Sequence, residues 1–419
     1  MATIAQSGKK CPVSFNHESP EHAANWVKEF DELRSTCPVA WTEAYGGYWV
    51  VTGYRDLIDV AQNPDAFGSA RTFDPVTGQV KTGASIPALP GTRGIPAETD
   101  SPDWDAFRSF LNRRFAPKAV EERRARTEQI AAALIDRVIE KGSFDIVDDF
   151  TNPLPAIATM EIFGLPLDQW NEYAEPLHKM MYIPHDKPEF FEAAEKLHWM
   201  RDRIMEQIAL RRADPKDDLL TYFANGEIEG KKLNDDDIWG MSLNLLLGGV
   251  DTTTALTSSV LIYLWKNPEM KKVFLEDANA LSVAREEFVR YFGTVHGIGR
   301  VATKDVEFNG QQIDKGDRVY LAYAAANRDP AIFEDADQLK LDRFPNRHIG
   351  FGAGKHRCLG SFQARMMFET MIKEILTRIP DYEIDDSKLA SYPSLGVING
   401  WISIPATFTP SVKVGAPEL

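Results

Sequence analysis

Apolar residues recur at spacings of three and four through Val120 to Ile139, Phe190 to Leu210, Asp235 to Lys266, Ser282 to Phe292 and Leu359 to Arg378, the periodicity of helices that bury one face. This pattern predicts a mainly α fold. Strand-like runs are fewer and shorter: Tyr48 to Val51 after Gly46-Gly47, Val306 and Phe308 turning at Asn309-Gly310, Val319 to Tyr323, and Ile402 to Phe408. They predict small sheets at the edges of a helical body. Between Asp74 and Pro102, nine prolines and glycines break any period. An ordered loop of that length is uncommon in a compact fold unless it works as a lid or binding loop, so it predicts a substrate-access wall; a mobile surface excursion is the alternative.

Charge narrows the function. The 419 residues carry 47 Lys+Arg against 62 Asp+Glu, a net charge of −15, which argues against a nucleic-acid partner because phosphate binding needs a basic surface. No Ser/Gly linker or charge block divides the chain, so one domain over residues 1–419 is expected, with 1–15 as a flexible tail. The N-terminus lacks an apolar segment of signal-peptide length, and the most apolar stretch, Leu243 to Val250, is short and holds two glycines. Neither predicts a membrane span, and a cytoplasmic location is expected. Three cysteines, Cys11, Cys37 and Cys358, leave one unpaired in any disulfide scheme, and reduced thiols are expected.

The segment Phe351-Gly352-Ala353-Gly354-Lys355-His356-Arg357-Cys358-Leu359-Gly360 sets a glycine-rich turn, three basic side chains and a thiol before a long helix. Free N–H groups and the positive dipole end of that helix favour a thiolate at Cys358. A zinc site is disfavoured, because Cys11 and Cys37 lack Cys-x-x-Cys spacing. The decamer resembles the signature of the haem-thiolate cytochrome P450 family, Phe-Gly-x-Gly-x-(His/Arg)-x-Cys-x-Gly, and the chain is similar to soluble bacterial-type members over essentially its full length. The resemblance implies the mainly α cytochrome P450 fold with small β-sheets, haem b as cofactor and Cys358 as the axial ligand of its iron. Phe351, Gly352 and Gly249 would flank the haem.

The Asp235 to Lys266 segment opens at Asn234 with three acidic residues and closes at Asn267-Pro268, so one helix of roughly 48 Å is predicted. Its centre, Gly248-Gly249-Val250-Asp251-Thr252-Thr253-Thr254, opposes helicity, each glycine costing about 1 kcal/mol against alanine. Such a local violation marks either a functional site or a close helix crossing. The heptapeptide resembles the family's (Ala/Gly)-Gly-x-(Asp/Glu)-Thr-(Thr/Ser) motif, which implies a helical bulge, proton delivery by Asp251 and an oxygen-contacting hydroxyl on Thr252. Asn244 and Leu245, one turn earlier, and Gly248 are expected to face the substrate.

The same resemblance implies further roles. Trp104 with Arg108, together with Arg300 and His356, would hold the haem propionates, Trp104 replacing the His usual in bacterial members. Glu287 and Arg290 with Arg343 would form a structural ion-pair unit. Thr294, Val295, His296 and Val397 would touch substrate, although Thr294 stands where a proline is common. Arg113, Arg114, Lys355, Arg357 and Arg365 would present a basic face to an acidic ferredoxin-type electron donor, since the chain has no reductase motif of its own. The implied activity is hydroxylation, or another oxidation, of a small to medium hydrophobic substrate with O2 and two external electrons. A peroxide-driven peroxygenase and a non-catalytic haem-binding protein are the alternatives.

Overall fold

The computed structural model describes residues 11–419 apart from Pro75, Gln79 and Pro90. At its centre runs the helix Asp235–Lys266, as its sequence predicts. The Asn234 side chain accepts from Asp237 N at 2.8 Å, and Asp235, Asp236 and Asp237 occupy the first turn against the positive dipole end. Most of this helix is buried.

Two helices cross it and decide where a cavity can form. Pro153–Phe163 is apolar apart from Thr159 and Glu161 and buried apart from Glu161 and Ile162, with Leu154, Ile157, Ala158 and Met160 in the core. An element without a polar face gives no amphipathic signal, and the periodicity reading missed it. The second, Ser361–Arg378, buries two adjoining apolar stripes, Met367/Met371/Ile375 and Phe368/Ile372/Leu376. Each such side chain contributes about 1.5–3 kcal/mol on burial, which fixes the loop just before the helix.

The largest sheet has five strands in the order Val39–Thr42, Tyr48–Val51, Arg318–Leu321, Ile298–Ala302 and Phe67–Gly68. Arg318–Leu321 runs parallel to Tyr48–Val51, with Val319 opposite Trp49, and antiparallel to Ile298–Ala302, with Val319 opposite Arg300. In Tyr48–Val51 every residue is buried: Trp49 and Val51 pack into one core cluster, Tyr48 and Val50 into another. Both faces of the sheet are therefore covered. The predicted hairpin at Asn309-Gly310 forms, with φ of +49° and +72° at the two turn residues, as a type I′ connection requires.

Several expectations need correction. The predicted Val120 to Ile139 helix is divided into Pro117–Glu121 and Arg124–Asp136. Residues 1–10 of the expected tail lie outside the described residues, but 11–15 are not a tail. Val13 N donates to Trp41 O and Trp41 N donates to Cys11 O, both at 2.8 Å, and Phe15 is buried. Nor are Cys11 and Cys37 reduced thiols: pairing beside strand Val39–Thr42 brings their Cα atoms to 6.5 Å, and a disulfide joins them. The 74–102 stretch begins with a hairpin, Thr72–Phe73 against Val80–Thr82, and continues from 83 without helix or strand. Its anchor is buried Glu98, which accepts from Ala84 N at 2.9 Å and Gly94 N at 2.8 Å and pairs with Arg71 at 2.6 Å.

Candidate active site

Before helix Ser361–Arg378 the chain folds back on itself. Gly352 and Gly354 adopt φ of +73° and +67°, and a Cβ on Gly354 would come within 2.1 Å of the Ala61 carbonyl oxygen; only glycine fits there. The turn closes with Cys358 N donating to Phe351 O at 2.8 Å. It aims the Cys358 sulfur into a cavity of about 400 Å³, and the residue's exposed surface faces that cavity. Burial pushes the thiol up, while the Gly360 N–H, Arg108, Arg365 and Arg357 pull it down. A cation bonded to the sulfur would favour the thiolate further.

Around this loop lies a knot of positive charge. The rings of Trp104 and His356 are 5.5 Å apart, and the Arg108 guanidinium sits 5.9 Å from the Trp104 ring. Arg108 donates to Asn112 Oδ1 at 2.9 Å and Arg300 to Gly299 O at 2.8 Å; neither has a carboxylate partner among the described residues. Burial, then Arg300, Arg108 and Lys355, hold the His356 pKa down to about 3. Its imidazole can donate a ring N–H to an anion there. The buried Trp104 Nε1 has no hydrogen-bond partner. Unpaired arginines, an orphaned indole N–H and an imidazole donor match the two propionates of a haem, and the thiol matches its iron.

Across the cavity stands the central helix. Gly248 opens onto it, and nothing lies within 4 Å of where its Cβ would be. Gly249 also lines the cavity, but its Cβ would meet Thr159 Oγ1 at 2.8 Å. One glycine leaves space and the other permits a helix crossing, so both sequence explanations hold, each at its own residue. The expected bulge is absent: the helix continues through the motif, and Thr252 Oγ1 donates to Gly248 O at 3.1 Å while lining the cavity.

Asp251 faces the other way. It is 1% exposed, contacts His178 Nδ1 at 2.5 Å and accepts from Tyr392 Oη at 2.8 Å. Burial disfavours charge on His178, but the Asp251 carboxylate raises its pKa above the ordinary value. Burial and the same carboxylate raise Tyr392 well above its own. His178 and Tyr392 escaped the sequence reading, because no local spacing links them to Asp251.

Asn244, Leu245, Thr294, Val295 and Val397 all line the cavity, as expected, and the loop from Ala84 to Glu98 supplies the facing wall. His296 does not. Its backbone N pairs with Val397 O, which turns the ring into the core, where its Nε2 lies 2.8 Å from His22 Nε2 and its ring packs on Trp26 and Phe30. It is fully buried away from the cavity.

Glu287 and Arg290 lock the frame beneath the loop, both 0% exposed, joined at 2.7 and 2.8 Å, with Arg343 Nε at 3.0 Å from Glu287. Arg290 also donates to the carbonyls of Asn327, Ala336 and Gln338. Of the expected basic face, Arg113 and Arg357 are exposed, and Arg113 and Arg114 line a second cleft with Arg123 and Arg126. Lys355 is shared with Asp105 at 3.2 Å. Arg365 drops out: it pairs with Glu286 at 2.6 and 2.8 Å, and despite burial that carboxylate is held well below the usual range by Arg365, His348 and Arg285.

The comparisons with known proteins agree with this geometry. Residues 167–380 match the family model described as Cytochrome P450. The chain is 30% identical to a steroid C26-monooxygenase of Mycobacterium tuberculosis over 88% of its length and 97% of that relative. It is 31% identical to linalool 8-monooxygenase of Pseudomonas putida over 85% of its length and 89% of that relative. A mutant of P450 EryK in complex with erythromycin B superposes with a TM-score of 0.82 at 26% identity, over 96% of this chain and all of that one. CYP109E1 from Bacillus megaterium in complex with testosterone gives 0.81 at 25% identity, over 94% of this chain and all of that one. The chain belongs to the cytochrome P450 family, as a monooxygenase that carries haem b and uses dioxygen as co-substrate.

Proposed function

We propose that Cys358 would ligate the haem iron through its thiolate, that Trp104, Arg108, Arg300 and His356 would hold the propionates, and that Phe351, Gly352 and Gly249 would flank the ring. One observation carries this reading: the Cys358 sulfur opens onto the same cavity as Gly248 and Thr252, beside arginines without carboxylate partners. When bound, haem b supplies the redox-active iron at which dioxygen is reduced and one oxygen atom enters a substrate C–H bond. The second atom leaves as water, so each turnover consumes two electrons and two protons. Thr252 would offer its hydroxyl to dioxygen, and Asp251, held between His178 and Tyr392 on the opposite face of the helix, would deliver protons. Glu287, Arg290 and Arg343 act structurally.

The substrate is a small to medium hydrophobic molecule, met by Asn244, Leu245, Gly248, Thr294, Val295 and Val397. The apolar character of most of these residues supports this, as do relatives named for steroid and linalool oxidation. Electrons come from a separate ferredoxin-type carrier docking on Arg113, Arg114, Lys355 and Arg357, with Arg365 withdrawn from that surface by Glu286. Replacing the relay hydroxyl tests the assignment. Thr252→Ala should keep its haem while product formed per reducing equivalent falls by roughly tenfold or more and peroxide rises. An unchanged ratio would remove Thr252 from the relay.

A further inference from the structure

The cavity wall is apolar along Leu245, Val295 and Val397, but one corner is not. Asn244 faces the cavity half-buried, and its carboxamide has no hydrogen-bond partner among the described residues. It lies against Gly94, whose Cβ would come within 3.2 Å of Asn244 Oδ1. Any side chain at position 94 would press on that amide; glycine leaves it clear. Gly94 N is committed to Glu98. Glu98 is itself committed to Ala84 N and Arg71, and Arg71 to Gly91 O at 2.7 Å. The corner is therefore charge-neutral, and the Asn244 carboxamide retains both donors and an acceptor for a ligand, while the unpartnered Ser85 and Thr294 hydroxyls elsewhere on the wall add further neutral polar contacts.

From this we infer that the natural substrate is an apolar skeleton bearing one neutral oxygen function, a hydroxyl or a carbonyl, which hydrogen-bonds to Asn244. The inference rests on the reading that Cys358 and Thr252 bracket the reacting centre. A carboxylate is disfavoured, because the one buried cation nearby is already neutralised by Glu98. A pure hydrocarbon is disfavoured too, because seating it strips water from the amide and returns no hydrogen bond, a loss of about tenfold to a hundredfold in affinity. Position sets the regiochemistry. At ~1.5 Å per residue, Asn244 lies ~6 Å along the helix from Gly248 and ~12 Å from Thr252. The C–H bond that breaks is therefore remote from the anchoring oxygen, and the product keeps that oxygen and gains a distant hydroxyl.

Calorimetric titration of the haem-loaded enzyme with decalin, 2-decalone, 2-decalol and decalin-2-carboxylate tests this. The ketone and alcohol should bind at least about tenfold more tightly than the hydrocarbon and the acid. In Asn244→Leu the ketone-to-hydrocarbon ratio should fall to within about twofold, with Asn244→Ala as a second variant should the first fail to fold. Turnover of the ketone should place the new hydroxyl on the ring that lacks the carbonyl. Equal affinities, a preference for the acid, no binding of ketone or alcohol, or a preference that survives at Asn244→Leu would overturn the inference. The ferrous-CO spectrum of each sample separates the two readings. Without a red-shifted Soret band the Cys358 assignment fails; with the band present and no oxygen preference, only the Asn244 inference fails.

Discussion

Two buried glutamates organise the two sides of this cavity in different ways. Glu287, beneath the cysteine loop, binds Arg290 and Arg343 and accepts from Lys340 N and Asn346, so its helix and the segment 340–346 that leads into the cysteine loop meet at one fully dried carboxylate. Glu98, in the access wall, has a single arginine and otherwise gathers the backbone N–H groups of a loop without regular structure. The first fixes a geometry that the chemistry cannot vary. The second holds a wall that can be rebuilt for a new substrate while the cysteine loop stays in place.

The largest expected effect lies at the first. Glu287→Ala leaves Arg290 and Arg343 as uncompensated buried cations, a loss of about 3–5 kcal/mol, read as a lower denaturant midpoint and poor haem retention. A loss below about 1 kcal/mol would erase the distinction. Glu98→Gln should act more locally, because the loop can open and let water reach Arg71. Substrate affinity should weaken by an amount equivalent to about 1–3 kcal/mol, while the ferrous-CO band and the haem content stay as in the parent protein. A collapse of haem binding in Glu98→Gln would show that the two sides are one unit.

The same contrast explains what could be read from sequence. The cysteine turn was legible because its constraint is local: positive φ at Gly352 and Gly354 and a helix start directly after Cys358. The central helix was legible from its caps and charges. The Asp251 partners were not, since His178 lies 73 residues away and Tyr392 141 residues away, and only tertiary packing brings them together. Arg365 misled for the same reason. It reads as a free surface cation until Glu286, 79 residues earlier, folds against it. His296 looked available because it follows Thr294 and Val295, both on the cavity wall, yet a bridge between Val295 and Ile398 sends the next ring into the core. Pro153–Phe163 left no trace, for a helix buried on nearly every side, with Glu161 its one charged residue, has almost no periodicity to detect.

The account stands on the bond between Cys358 and the haem iron. Its most direct test is the ferrous-CO spectrum of the wild type beside Cys358→Ala, each reconstituted with haem. The account predicts a red-shifted Soret band in the wild type that is absent from the variant. A band that persists in Cys358→Ala, or a wild-type spectrum typical of imidazole ligation, would contradict it.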